Sequence, residues 1–111
     1  ILLQTKTLIL MPRYLVELSD DICAIIPLPE VLWIYDHAAM RRTIKGRQLS
    51  YTIHVVTMKG EEYTLTGKSH REVSAIYHEL NTRYPNFFFG YSKEHQEMVQ
   101  YVLHEMKNEK A

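Results

Sequence analysis

Along the first two-thirds of the chain, apolar residues recur at every second position or in short unbroken runs. In the last third they recur at helical spacing. The run Lys6 to Met11 carries Leu8, Ile9, Leu10 and Met11, and Pro12-Arg13 separates it from an alternating stretch, Tyr14 to Leu18. Ser19-Asp20-Asp21 has turn chemistry, because short polar side chains bond their own backbone. Ile22 to Ile26 follows, and Pro27 and Pro29, which lack ladder donors, end that strand. Val31 to Tyr35 is apolar on both faces, which predicts a strand covered on both sides. Leu49 to Met58 alternates Tyr51, Ile53, Val55 and Thr57 with Thr52, His54 and Val56. Lys59-Gly60-Glu61 then turns the chain into Glu62 to Thr66, forming an antiparallel hairpin.

Ser69-His70-Arg71-Glu72 has the spacing of a capping box, and Val73, Ile76, Tyr77, Leu80 and Tyr84 make one stripe behind it. The spacing predicts a helix over about 69–84, closed by Tyr84-Pro85 because the residue before a proline avoids helical geometry. Phe87-Phe88-Phe89-Gly90-Tyr91 is too short for a helix and reads as a short strand or plug. Three adjacent aromatics cannot all face one core in a strand, so at least one turns to the other side, under the second helix or toward a partner. Phe87, Phe88 and Phe89 are therefore a candidate partner surface. A second helix, over about 92–108, is capped by Ser92 and striped by Val99, Val102, Leu103 and Met106.

Strands over about 5–66 followed by two helices make an α+β order. The expected architecture is one domain, residues 1–111, with six or seven antiparallel strands in a small barrel or sandwich. Since the chain begins at Ile1 and not at Met, it is expected to be a piece of something longer.

Composition narrows the function classes. With 46% apolar and 23% charged residues the chain is an ordinary globular protein. Thirteen basic residues balance thirteen acidic ones, so a surface that coats nucleic acid is not expected. One cysteine excludes a disulfide framework within the chain, and Cys23 in an apolar strand reads as a buried, inert thiol. No run approaches the length of a membrane-spanning helix.

Thr66-Gly67-Lys68-Ser69 sits between strand and helix like the end of a phosphate-binding loop. That motif needs a glycine where this chain has Glu62, so helix capping is the better account. The six histidines show no helical metal-ligand spacing, and no metal or cofactor is expected. No catalytic constellation is visible, and the chain is not expected to be an enzyme. One charge asymmetry stands out. Arg41, Arg42, Lys45 and Arg47 fall within seven residues free of acid, in the connection between the Trp33 and Tyr51 strands, expected to be a loop. Four cations there could hold phosphate or an anionic lipid headgroup. A loop must also be polar simply to stay solvated.

Three stretches carry a resemblance: Pro27-Leu28-Pro29-Glu30-Val31-Leu32-Trp33-Ile34-Tyr35, the hairpin from Tyr51 through Gly60 to Tyr63, and Tyr84-Pro85-Asn86 through Phe-Gly-Tyr-Ser-Lys-Glu94. Over roughly residues 5–100 the chain resembles an uncharacterised bacterial family of pleckstrin-homology-like domains, often found behind N-terminal transmembrane segments. The resemblance implies seven strands and a C-terminal helix, and the helix from Ser92 is one more than that. It implies no catalytic residues. The functional expectation is a non-enzymatic interaction or membrane-proximal accessory domain, cytoplasmic, at the inner face of the cell membrane in a longer anchored chain. Its expected partners are anionic lipid headgroups or another protein. The alternative is a small ligand-binding or regulatory domain acting as a homodimer.

Overall fold

The computed structural model describes residues 2–18 and 23–109. The Ser19-Asp20-Asp21 turn, Ile22 and the Cys23 thiol lie outside what is described. Four short strands form an antiparallel meander: β1 (Leu3–Gln4), β2 (Leu8–Leu10), β3 (Tyr14–Leu18) and β4 (Cys23–Pro27). Leu8, Leu10, Leu15 and Ile26 are buried from this sheet. A single 3-10 turn, Leu28–Glu30, placed by Pro27 and Pro29, leads into the second sheet.

That sheet contains β5 (Val31–Thr43), β6 (Gly46–Thr57), β7 (Glu62–Lys68) and the two-residue β8 (Phe88–Phe89), in the order β7-β6-β5-β8. The first three are antiparallel, while β8 lies parallel to β5 with Trp33 beside Phe88 and Ile34 beside Phe89. The expected small barrel or six- to seven-stranded sandwich is thus two four-stranded sheets, eight strands among the described residues, not closed into a barrel. β1 and β8 are each two residues long, and β8 falls within the short strand or plug expected over Phe87 to Tyr91.

Helix α1 (His70–Arg83) starts on the expected capping box, with the Glu72 N–H donating to Ser69 Oγ and the Ser69 N–H donating to the Glu72 carboxylate. Val73, Ile76 and Leu80 are buried against both sheets, in one core with Leu8, Leu15, Ile34, Ile53, Val55 and Leu65. Helix α2 (Lys93–Glu109) lies against the opposite face of the second sheet, where Leu32, Trp33, Val56 and Val99 form a separate cluster. The strand apolar on both faces is therefore covered on both sides. Leu32 and Trp33 both join the α2 cluster, while Val31 and Ile34 join the main core. The register shift between Val31 and Trp33 produces this, since a bulge turns two successive side chains to one face.

Lys68 is buried, with Nζ 2.8 Å from Glu17 Oε1 and 3.0 Å from Thr7 Oγ1. It points into the protein at the end of β7, toward the Glu17 carboxylate.

Candidate functional site

The expected basic loop is not a loop. β5 continues to Thr43 and β6 begins at Gly46, so Arg41, Arg42 and Arg47 sit on strands and Lys45 alone of the four cations lies in the turn. The ladder extends to the tip, pairing Met40 with Leu49, Arg41 with Gln48, Arg42 with Arg47 and Thr43 with Gly46. Gly46 takes φ 114°, a conformation side chains avoid, and the Thr43 hydroxyl donates to its carbonyl at 2.9 Å. The strands therefore reverse through Ile44 and Lys45 alone. Every residue from 37 to 49 is exposed, so this half of the hairpin is an arm with both faces in water.

Side chains sort onto the two faces of the arm by strand register. Met40, Leu49, Arg42 and Arg47 share one face, Arg41 and Gln48 the other, and Ile44 stands at the end. Ile44 is fully exposed, and Met40 and Leu49 are more than half exposed. Arg42 faces Arg47 directly, a like-charge pair that weakens a sheet. None of the four cations forms an ion pair among the described residues, and no acid occurs between Asp36 and Glu61. At the elbow where the arm leaves the domain is an open cleft of about 320 Å³, lined by Arg41, Arg42, Gln48, Leu49, Ser69 and Glu72. Burial works to raise the Glu72 carboxyl. Hydrogen bonds from Thr5, Thr7 and the Ser69 N–H, with the charge of Lys68, outweigh it and hold the group below the usual carboxylate range.

The aromatic triplet is engaged inside the chain. Phe87 and Phe89 pack on the main core, and Phe88 lies with the α2 cluster, its ring 5.4 Å from that of His95. All three are half-buried.

The hairpin register also gathers residues that look scattered in sequence. Tyr35 lies opposite His54, which puts His37 diagonally across from it. The Tyr35 and His54 rings stack at 4.7 Å, and His37 and His54 at 4.9 Å. His54 Nε2 is 2.9 Å from His37 Nδ1, and its Nδ1 is 3.5 Å from Glu62 Oε1. Burial, then the neighbouring His37, lowers the pKa of His54 against the opposing pull of Glu62. Spacing along the sequence hides this group, because it exists only once the hairpin is centred on Ile44-Lys45. The apolar residues of the tip were missed for the same reason.

No helix is long and apolar enough to cross a membrane among the described residues. A family model described as a domain of unknown function (DUF6709) matches residues 6–99. No curated protein and no solved structure matches the chain. The chain belongs to the DUF6709 family.

Proposed function

We propose that this member of the DUF6709 family is a non-enzymatic, membrane-proximal accessory domain that docks on an anionic phospholipid surface through the β5–β6 arm. The observation that carries the reading is the tip itself: a fully exposed Ile44 flanked by Met40 and Leu49, with Arg41, Arg42, Lys45 and Arg47 around them. Aliphatic side chains enter the boundary between headgroups and acyl chains, while cations beside them meet the phosphates. The unrelieved Arg42–Arg47 pair costs the free domain stability and is relieved against negative charge. On this reading the domain has a pleckstrin-homology-like fold. Seven strands followed by α1 agree with the element order such a fold implies, β8 and α2 being extensions. It works at the inner face of the cell membrane, within a longer anchored chain.

The test is co-sedimentation with vesicles of phosphatidylglycerol and of phosphatidylcholine. Four basic residues near a charged surface supply up to about 4 kcal/mol, roughly a thousandfold in affinity. Replacing Arg41, Arg42, Lys45 and Arg47 together by Gln is expected to abolish binding to the acidic vesicles. Ile44→Asp should weaken it with the cations intact. Binding should fall steeply as salt rises, since screening acts over about 10 Å at 0.1 M. A wild-type domain that ignores acidic vesicles at low salt refutes the proposal, as does a quadruple variant that binds like wild type.

A further inference from the structure

The base of the arm carries two histidines whose role does not depend on what the arm binds. We infer that the His37–His54 hydrogen bond is an acid-sensitive clasp: it holds the base of the β5–β6 arm in register while at least one ring is neutral, and protonation of both rings opens it and frays the arm.

The position of the pair gives it leverage. β7 supports β6 only from Tyr51 inward, and the α2 cluster reaches no farther along this face than Tyr35. His37, opposite Thr52, is the first exposed residue of the arm, while the His54 side chain is 15% exposed. Beyond the pair the hairpin is a two-stranded ribbon, which is marginal in water. Among the described residues, the contact of 2.9 Å between His54 Nε2 and His37 Nδ1 is the one hydrogen bond joining a side chain of β5 to a side chain of β6.

Glu62 sets where the protons lie. A carboxylate only accepts, so His54 Nδ1, which faces Glu62 Oε1 at 3.5 Å and is buried with no other partner, carries that ring's proton. His54 Nε2 is then the acceptor and His37 Nδ1 the donor. The Tyr35 ring stacks on His54 at an interplanar angle of 12° and its hydroxyl donates to Glu62 at 3.3 Å, holding ring and carboxylate in place. The nitrogen left open, His37 Nε2, lies on the exposed arm and takes the first added proton. That step keeps the bond and makes it charge-assisted. The second proton goes to His54 Nε2, the acceptor itself. Two N–H groups then face each other across a hydrogen-bond distance, and the rings must part.

The groups around the pair do not supply a second countercharge. β7 contributes Glu62, and β5 contributes Tyr35, whose pKa burial and Glu62 raise. Asp36 turns to the other face, where it accepts from Tyr77. Tyr91, with Gln96 and Gln100 of α2, lines the groove beside Tyr35 and Glu62. Burial and then His37 hold His54 below the ordinary value of 6.5 against the pull of Glu62. The unfolded chain therefore binds the proton more readily than the folded one. The clasp is closed above the ordinary value and opens as pH falls through it toward the lower folded value.

The experiment is amide hydrogen exchange of the full chain at about pH 7.5 and about pH 5, on either side of the ordinary histidine value. Each rate is divided by that of the unfolded chain at the same pH, and nitrogen-15 spectra report the histidine tautomers. His54 is expected to carry its proton on Nδ1 at the higher pH. Protection over residues 38–50 should fall about 2- to 10-fold at the lower pH, the loss of one hydrogen bond, while residues 53–56, paired on both sides, keep theirs. His37→Gln, whose amide can donate to His54 Nε2 but takes no proton, should flatten that fall while circular dichroism stays native. His78→Gln, on α1, should leave it as in wild type. Arm protection that does not change with pH overturns the proposal. So does a fall that persists in His37→Gln, or a neutral His54 protonated on Nε2.

Discussion

Replacing Lys68 by Met tests the polar joint that ties the two sheets to α1. Lys68 Nζ lies 2.8 Å from each Glu17 carboxylate oxygen, and the two side chains are 0% and 7% exposed. Thr7 accepts from Lys68 and donates to Glu72 at 2.9 Å, and Thr5 donates to the same Glu72 oxygen at 2.7 Å. Sheet one, the end of β7 and the first turn of α1 thus meet in one hydrogen-bonded chain. Lys68→Met keeps much of the aliphatic bulk and removes the charge, leaving the Glu17 carboxylate buried without its cation. Breaking a buried pair from one side costs about 3–5 kcal/mol, a large share of the 5–15 kcal/mol that holds a domain folded. Removing both charges by Lys68→Met with Glu17→Leu should recover most of that loss, because the expense lies in the stranded ion and not in the missing attraction. Urea unfolding followed by circular dichroism measures both variants, with an unchanged slope confirming that the same surface is exposed. A single variant within about 0.5 kcal/mol of wild type, the range of a surface change, would falsify the buried joint. A double variant no more stable than the single one would mean that the network, not the stranded charge, sets the cost.

Trp33 is 6% exposed and its indole N–H donates to the Gly90 carbonyl at 2.9 Å. Its emission should be blue-shifted in the native domain and move to the red on unfolding, and native emission already matching indole in water would contradict the cover that α2 provides. Glu72 gives a pH dependence. Its carboxyl is held below the usual range, so the folded state releases its proton more readily than the unfolded chain. The stability it adds is fully present above the ordinary glutamate pKa of about 4.3, and it is lost as pH falls through the lower folded value. Glu72→Gln, which keeps a capping-box residue, should lose less thermal stability than wild type between about pH 6 and 3. Parallel decline in the two proteins would show that the Thr5 and Thr7 contacts do not discriminate the charged form.

What was legible in the sequence was local, and what was not depends on pairing between distant residues. The Ser69–Glu72 box and the Val73, Ile76, Leu80 stripe are decided within a turn or two of helix, and they fold as their spacing says. The β6–β7 hairpin follows from its own turn at Lys59–Glu61, and Trp33 from an unbroken apolar run. The arm was misread as a loop because periodicity reports burial, not backbone pairing. Where both faces of a ribbon are in water, polar and apolar residues lose their alternation, and Ala38 through Leu49 show none. The joint of Lys68 with Glu17 spans 51 positions and the His37–His54 contact 17, so neither spacing resembles a motif until the register is known.

The same physics explains why the arm is where function is sought. Every other strand of the second sheet has a reason to fold in the core it covers. The outer half of the β5–β6 hairpin covers nothing, opposes Arg42 to Arg47, and ends in an isoleucine held in water. Two-stranded ribbons are marginal in water on their own, so burial does not account for these residues, and the domain bears the cost of displaying them. On the proposed function, a surface that opposes folding in charge and in hydropathy together answers to an environment that is both negative and apolar. The boundary of an anionic bilayer is such an environment, and it reverses the sign of both penalties.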